Sequence, residues 1–324
     1  MSKTAIAIDL RPGTLMDYAD SNSRYALMSG LLTLKGNKLA ISESKIAFVE
    51  NLLADGTTLI DDADYLQQFY SPFHPKLPSD DEIFIRAEIL RLSNEISRLS
   101  AMLNEQSTVL SDEATPDMMG LHAQEARLRK ELRRLREIEF YRDQSHKESL
   151  QEIEDLLEDI RLGNLIGGSL YAPAYFEWAV WRLFLAINQL EGEIHNTRGF
   201  NVDDDLRPVH HARSGSADLT FTYSDFALVC EMTLTTGSRQ FAAEGEPVTR
   251  HVFKEIGQKP DKKVYGLFVA GKLDPNTVDA FHNARYWKSW QQFILTPVVA
   301  VEIDFCASWH IVCKINRFHR MTFG

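Results

Sequence analysis

Asp218 and Glu231 are the residues whose type and spacing first point to chemistry in this chain. They stand at the outer ends of two arms rich in β-branched and aromatic residues, joined by Ser224-Asp225, a good turn pair. With those two residues as the loop, Tyr223 pairs with Phe226, Phe221 with Leu228, and Asp218 directly with Glu231. Period-two alternation gathers Leu219, Phe221, Tyr223, Phe226, Leu228 and Cys230 on one apolar face. The other face carries the two carboxylates at its open end. Opposed side chains on such a hairpin have Cβ atoms about 4.5–5.5 Å apart, where like charges repel. A hard divalent cation between them offsets that cost. Mg²⁺ takes oxygen ligands, often one or two carboxylates completed by water and substrate phosphate, and this is the active-site logic of metal-dependent nucleases. On the pattern alone, a slipped register with both carboxylates in water stands equally open.

The continuation is richer. Gly-Ser-Ala-Asp218, the run Val-Cys-Glu231-Met-Thr, then Thr-Gly-Ser-Arg239-Gln240, Ala-Glu244-Gly-Glu-Pro-Val and Arg250-His251 follow one another within about forty residues. This stretch resembles the AlwI family of type IIS restriction endonucleases and their strand-nicking relatives. The likeness covers residues 165–305 well and an N-terminal segment more weakly. It implies a PD-(D/E)XK-type restriction-endonuclease core, an α/β fold with a mixed sheet, in which Asp218 and Glu231 hold Mg²⁺, with Mn²⁺ as a possible substitute. Thr233 stands where the general nuclease pattern has lysine. In the family a glutamate of the next helix completes the site, and the matching residue is Glu244. Gln240 lies one helical turn before it, on the same face. The resemblance also includes a glutamate on an upstream helix, matching Glu177.

Length and charge bound the rest. A chain of 324 residues can hold two or three domains with cores of their own. The start leads into a short Ala-Ile-Ala-Ile run and no apolar stretch approaches membrane length, so neither a secretory signal nor a membrane partner is expected. Three cysteines form no disulfide framework and fit a reducing, cytoplasmic (prokaryotic) setting. Cys306, His310 and Cys313 lack a fourth zinc ligand and read as structural. The net charge of −11 opposes DNA binding, which needs Lys and Arg against phosphate. Basic residues nevertheless gather near the acidic motif: Arg207, His210, His211, Arg213, Arg239, Arg250, His251 and Lys254, with Lys314, Arg317 and Arg320 at the end. Of these, Arg213, Arg239, Arg250 and His251, together with Gln240, are the candidate DNA or phosphate contacts.

Three regions must position this chemistry. Residues 1–78 read as a small winged-helix-like linker domain. A helix closes at Gly30, Leu31–Leu34 and Leu39–Ile41 form short strands, and a helix follows from Lys45 to Leu53. The pattern Arg24-Tyr … Gly30-Leu-Leu is similar to the linker domain ahead of the AlwI-type nuclease. Residues 71–80, with three prolines, read as a linker. Residues 79–162 form a coiled-coil-like helical region. Ile85, Ile89, Leu92, Ile96, Leu99 and Leu103 keep a/d spacing, residues 111–117 break it, and Leu121, Leu128, Leu132 and Leu135 continue on a second helix. Two such helices predict an antiparallel hairpin. A third carries Leu150, Ile153, Leu157 and Ile160 to Gly163.

Residues 163–324 are the nuclease domain. Gly167-Gly168 marks a loop, and Pro173 opens a helix apolar nearly all round, so Glu177 on it needs either a basic partner such as Arg182 or a place in the metal cleft. Gly245-Glu-Pro247 should end one helix and start another. Val264–Ala270 reads as a buried strand, Asn276–Trp290 as a helix and Pro297–Ile303 as a strand. The expected function is a Mg²⁺-dependent endonuclease on double-stranded DNA, cutting or nicking one strand per site and relying on a recognition subunit or a homodimer. A non-catalytic DNA-associated partner subunit, or a non-specific nuclease of a defence system acting on DNA or RNA, are the competing readings.

Overall fold

A computed structural model describes residues 12–35, 38–54, 61–71, 77–107, 117–164, 171–187, 189–213, 215–289, 292–295 and 297–307. Its contacts fall into two units, 1–136 with 203–205, and 137–202 with the chain from 206 on.

In the first unit, helix α1 (Pro12–Met28) gives way at Gly30, whose φ of 69° suits a residue without Cβ. Strands β1 (Leu32–Lys35) and β2 (Lys38–Ile41) pair antiparallel, and α2 (Ile46–Ala54) and α3 (Asp62–Phe69) follow. Asp61 caps α3 by accepting the Ala63 and Asp64 N–H groups. Residues 203–205 join this unit through Asp203, which accepts from Thr33 at 2.7 Å, and Asp204, which accepts from Ser44 at 3.0 Å.

Helix α4 (Glu82–Leu103) buries Ile85, Leu92, Ile96, Leu99 and Leu103, and α5 (Met118–Asp143) buries Leu121, Leu128, Leu132 and Leu135. The two stripes are the predicted ones. Their direction is not. Arg129 reaches Glu88 at 3.0 Å and Arg136 reaches Glu95 at 2.6 Å, so both helices advance by the same seven residues in the same sense. They run parallel at this contact, not as an antiparallel hairpin. The residues from 104 to 117 number 14, enough at roughly 3.4 Å each to return along a helix of 22 residues rising about 1.5 Å per residue. The break predicted at 111–117 lies, except for Asp117, outside the described residues.

The second unit holds the sheet. Helix α6 (Lys147–Leu162) buries Ile153, Leu157 and Ile160 and stops at left-handed Gly163. Helix α7 (Ala172–Leu185) is buried on almost every side, as its all-round apolar sequence requires. Two short strands, β3 (Asn201–Val202) and β4 (Pro208–His210), pair with each other. Next come β5 (Leu219–Thr222), β6 (Phe226–Thr233), α8 (Ser238–Gln258), β7 (Lys263–Ala270) and α9 (Pro275–Asn283). Strands β8 (Arg285–Ser289) and β9 (Gln292–Leu295) form a separate hairpin before β10 (Val298–Glu302) and α10 (Ile303–Ala307).

The main sheet has the order β10-β7-β6-β5, with β5 antiparallel to β6 and the other pairs parallel, a mixed α/β arrangement. Leu219 faces Cys230 and Phe221 faces Leu228, and the Tyr223 N–H donates to the Phe226 carbonyl, so the register is the one counted from the Ser224-Asp225 turn. One face buries Leu219, Phe221, Tyr223, Cys230 and Met232 with α6 and α7. The other packs Ala227, Val229, Phe268 and Ala270 on Val248 and Val252 of α8 and Phe281 of α9.

Two local expectations are corrected. Helix α8 runs unbroken through Pro247. A proline removes one N–H and crowds the preceding turn, but Gly245 is buried beside Phe241 and Ala280, and Val248 and Val252 are buried against the sheet, so burial on both sides of the proline holds the helix together. The helix expected over Asn276–Trp290 stops at Asn283, because Arg285-Tyr-Trp-Lys-Ser pairs with Gln292–Leu295. Gly167-Gly168, Trp290, His310, Cys313, Lys314, Arg317 and Arg320 lie outside the described residues. Cys306 packs against the core, and burial pushes its thiol up to about 12. No helix among the described residues is long and apolar enough to cross a membrane.

Candidate active site

Asp218 precedes β5 and is fixed by backbone contacts. Its carbonyl accepts the Gly199 N–H at 2.8 Å, and Arg198 bridges to Leu219. Gly199 has to be glycine here. A Cβ on it would lie 2.7 Å from the Ala217 carbonyl oxygen and 3.2 Å from that of Asp218. The Asp218 side chain turns across the hairpin, where Oδ2 accepts the Met232 N–H at 2.8 Å. Glu231 is buried on β6, and its Oε1 lies 2.5 Å from His251 Nδ1, which comes up from α8. Glu177 enters from α7 and its Oε2 accepts the Ala212 N–H at 2.7 Å. Glu244 completes the group from the N-terminal half of α8, bonded to the Thr233 hydroxyl. Each of the first three acids is thus held through one oxygen.

Glu177, Asp218, Glu231 and Glu244 line one cavity of about 490 Å³, together with His211, Pro173, Phe176 and the strip Met232–Thr235. Among the described residues, no lysine or arginine lines it. Burial, followed by the charges of Asp218 and Glu231, pushes Glu177 up to about 9. Burial and the Glu244 charge push Glu231 up to about 8. Asp218 is raised well above the usual carboxylate range by burial and then by Glu231 and Glu244, and Glu244 is raised mainly by burial. Asp218 and Glu231 stand close enough for each to feel the other's charge. Burial, Arg250 and Lys254 hold the His251 ring below its ordinary range. Four crowded acids without a cation are out of balance on their own.

The remaining sequence candidates are placed elsewhere. Arg213, Arg239 and Arg250 are exposed and do not line the cavity, and Arg250 pairs with Glu246 at 3.1 Å. Gln240 is fully buried. Its amide nitrogen donates to the Thr235 and Lys272 carbonyls and its oxygen accepts the Asp274 N–H, so both amide protons are spent on pinning the start of α8. Arg182 is taken by Gln144 at 2.7 Å and Glu152 at 3.0 Å and lies over the rings of Phe140 and Trp178. Glu177 is therefore not its partner. Sequence reasoning missed Gly199 altogether, because its demand for space arises from a chain crossing that no local pattern encodes. It noted Thr233 only as a missing lysine.

The family described as AlwI restriction endonuclease matches residues 2–296. The chain belongs to the AlwI restriction endonuclease family. It is therefore a restriction-type nuclease, a hydrolase whose substrate is DNA. No curated protein matches it. Among solved structures it is similar to the small subunit (R.BspD6I2) of the heterodimeric restriction endonuclease R.BspD6I, at 24% identity and a TM-score of 0.41, over 51% of this chain and 77% of that one.

Restriction endonucleases generally use divalent metal ions. Among the described residues no three His, Cys, Asp or Glu side chains are grouped closely enough to hold a metal ion as they stand. The donor set still suits a hard cation: it is all oxygen, and its mutual repulsion is what a divalent charge offsets. An open set also suits an ion that keeps several waters and takes a substrate phosphate.

Proposed function

We propose that this AlwI-family chain hydrolyses phosphodiester bonds in double-stranded DNA with Mg²⁺ held by Asp218, Glu231 and Glu244. The observation that carries this reading is the convergence of four carboxylates, each raised by burial and most by one another, on a single cavity that no described lysine or arginine lines. Bound there, Mg²⁺ would polarise the scissile phosphate and lower the pKa of an attacking water. The side chains have separate tasks. Asp218 and Glu231 present one free oxygen each because Met232 N–H and His251 hold the other. Glu244 takes the place of the usual lysine in orienting water, and Thr233 fixes its rotamer. Glu177, anchored by Ala212, completes the acidic wall as a further ligand or as the acceptor for a metal-bound water. Arg213, Arg239 and Arg250, on the exposed surface, serve as contacts to the flanking phosphates, and Gln240 is left out of that role.

The core is read as the PD-(D/E)XK type, with a hairpin bearing the first two acids and helix α8 behind it. Residues 1–78 are read as a winged-helix-like linker domain, 79–162 as a helical spacer and 163–324 as the nuclease domain. One site cuts one strand, so a double-strand break takes a recognition subunit bearing a second site, or a second copy. The test is plasmid relaxation with Mg²⁺ or EDTA. Asp218→Ala and Glu231→Ala should each lower cleavage by about a thousandfold, the scale of removing a group that stabilises developing charge. Both variants should keep the parent's circular dichroism. Cleavage at the parental rate in either variant would sink the assignment.

A further inference from the structure

Beside the acidic cavity lies a second one of about 490 Å³ with the opposite character. Among the described residues its wall includes Arg198, Lys254 and Lys259 against one acid, Glu255, with Asn196 and Gln258 adding amides. The two cavities share one face of the β5–β6 ribbon. Asp218 and Glu231 mark the first; Thr220 and Val229, a directly paired couple one step deeper along the same face, line the second. Two residues along a strand are about 7 Å. His251 stands between the two: Nδ1 faces Glu231, the ring lines the basic cavity, and Nε2 is buried without a hydrogen-bond partner among the described residues.

Acids and bases are thus segregated on a chain whose net charge is −11. Neutralising the acid site requires a cation, and the neighbouring basic pocket calls for an anion. The pairings of these side chains single out one lysine. Arg198 is committed to Glu137 at 2.7 Å, and Lys259 to Glu255 at 2.6 Å and to the Thr222 hydroxyl. Lys254 is exposed at the mouth, with no ion pair recorded for it among the described residues.

We infer that this basic cavity is a second phosphate subsite, in which Lys254, flanked by Asn196 and Gln258, takes a backbone phosphate adjacent to the one that meets Asp218 and Glu231. The inference rests on the nuclease reading for the identity of the strand, but the pocket's affinity for phosphate does not depend on it. Lysine serves as a compact point charge for a phosphate whose sequence context is irrelevant. This places the strand along the ribbon, one phosphate in the acid box and a neighbour in the basic pocket.

The experiment titrates inorganic phosphate into the full chain in EDTA and reads thermal stability, with chloride at matched ionic strength as the control. A ligand bound only by the folded state raises the melting temperature by an amount that grows with the logarithm of its concentration above its Kd. Phosphate should stabilise the parent beyond chloride. Lys254→Gln should weaken its apparent affinity at least tenfold, and Lys254→Arg should restore it. Asp218→Asn should leave it in place. Equal stabilisation by phosphate and chloride in the parent, or parental phosphate affinity in Lys254→Gln, overturns the subsite. Phosphate binding that depends on Lys254 in a protein showing no metal-dependent cleavage would keep the subsite and remove the nuclease assignment, so the two failures are told apart.

Discussion

Replacing Glu177 with glutamine tests the electrostatic account of the cleft without touching its shape. Glutamine keeps a carbonyl oxygen for the Ala212 N–H that Glu177 now accepts, and loses only the charge. In the folded, metal-free chain Glu177 is pushed up from 4.5 to about 9, by burial first and then by Asp218 and Glu231. A carboxyl raised in this way binds its proton more tightly folded than unfolded. It therefore costs nothing below its unfolded value and destabilises increasingly as pH rises from about 4.5 toward about 9. At 1.36 kcal/mol per pH unit, the parent should trail Glu177→Gln by under about 1 kcal/mol at pH 5, about 3 at pH 7 and about 5 at pH 8. Because Asp218 and Glu231 supply part of the repulsion, the gain belongs to the cluster. The assay is urea unfolding in EDTA followed by tryptophan fluorescence. Trp178 and Trp181, both buried on α7 beside Glu177, lie in the second unit, so their signal reports the unit that holds the site. Mg²⁺ should then stabilise the parent more at pH 8 than at pH 6. Parallel stability curves for parent and variant across pH 5–8 in EDTA would show that Glu177 is not strained in the cleft, and the reasoning from buried like charge would fall.

Two further substitutions probe how the acids are held. Thr233→Ala removes the hydroxyl bonded to Glu244 but not the carboxylate, so plasmid cleavage should drop about tenfold, against a hundredfold or more for Glu244→Ala, the scale of a lost transition-state contact; equal losses would mean that Thr233 itself positions the water. Gly199→Ala sets a Cβ against the Ala217 carbonyl at 2.7 Å, where only backbone can give way. It should lower stability by roughly 1–3 kcal/mol and cleavage with it, and a variant with parental cleavage would show that the 199–218 crossing does not locate Asp218.

The features legible in the sequence were those whose physics is local. Turn residues at 224–225 fixed the hairpin register, and alternation then assigned Leu219, Phe221 and Cys230 to the core and the two acids to the opposite end. The a/d stripes of the two long helices were equally plain, since burial follows directly from 3.5-residue spacing. Their mutual direction was not, because a stripe has no polarity: parallel and antiparallel packing bury the same leucines, and only the Glu88–Arg129 and Glu95–Arg136 pairs distinguish them. Arg285–Ser289 failed for a related reason. Its strand depends on a partner strand, Gln292–Leu295, that comes after it, which a helical reading of the preceding segment does not anticipate. Gln240 illustrates a third limit. Its position one turn before Glu244 fits a phosphate contact equally well as a buried anchor, and only the three hydrogen bonds around its amide decide.

Helix α8 explains why the break expected at Pro247 would matter to function. Gln240, Glu244 and His251 lie at intervals of four and seven residues, close to one and two turns at 3.6 residues each, so an unbroken helix turns all three to one face. Gln240 locks the first turn to the loops at Thr235 and Lys272, Glu244 meets the acid cavity one turn on, and His251 reaches Glu231 about 10 Å further along the axis. A break at Pro247 would free the phase of His251 relative to Glu244, and the two contacts to the β6 strand would no longer be set by one rigid element. Glu231, β-paired on one side and tied to His251 on the other, is then located by the sheet and by the helix together. The proline removes one backbone hydrogen bond from a helix whose register is already fixed at both ends.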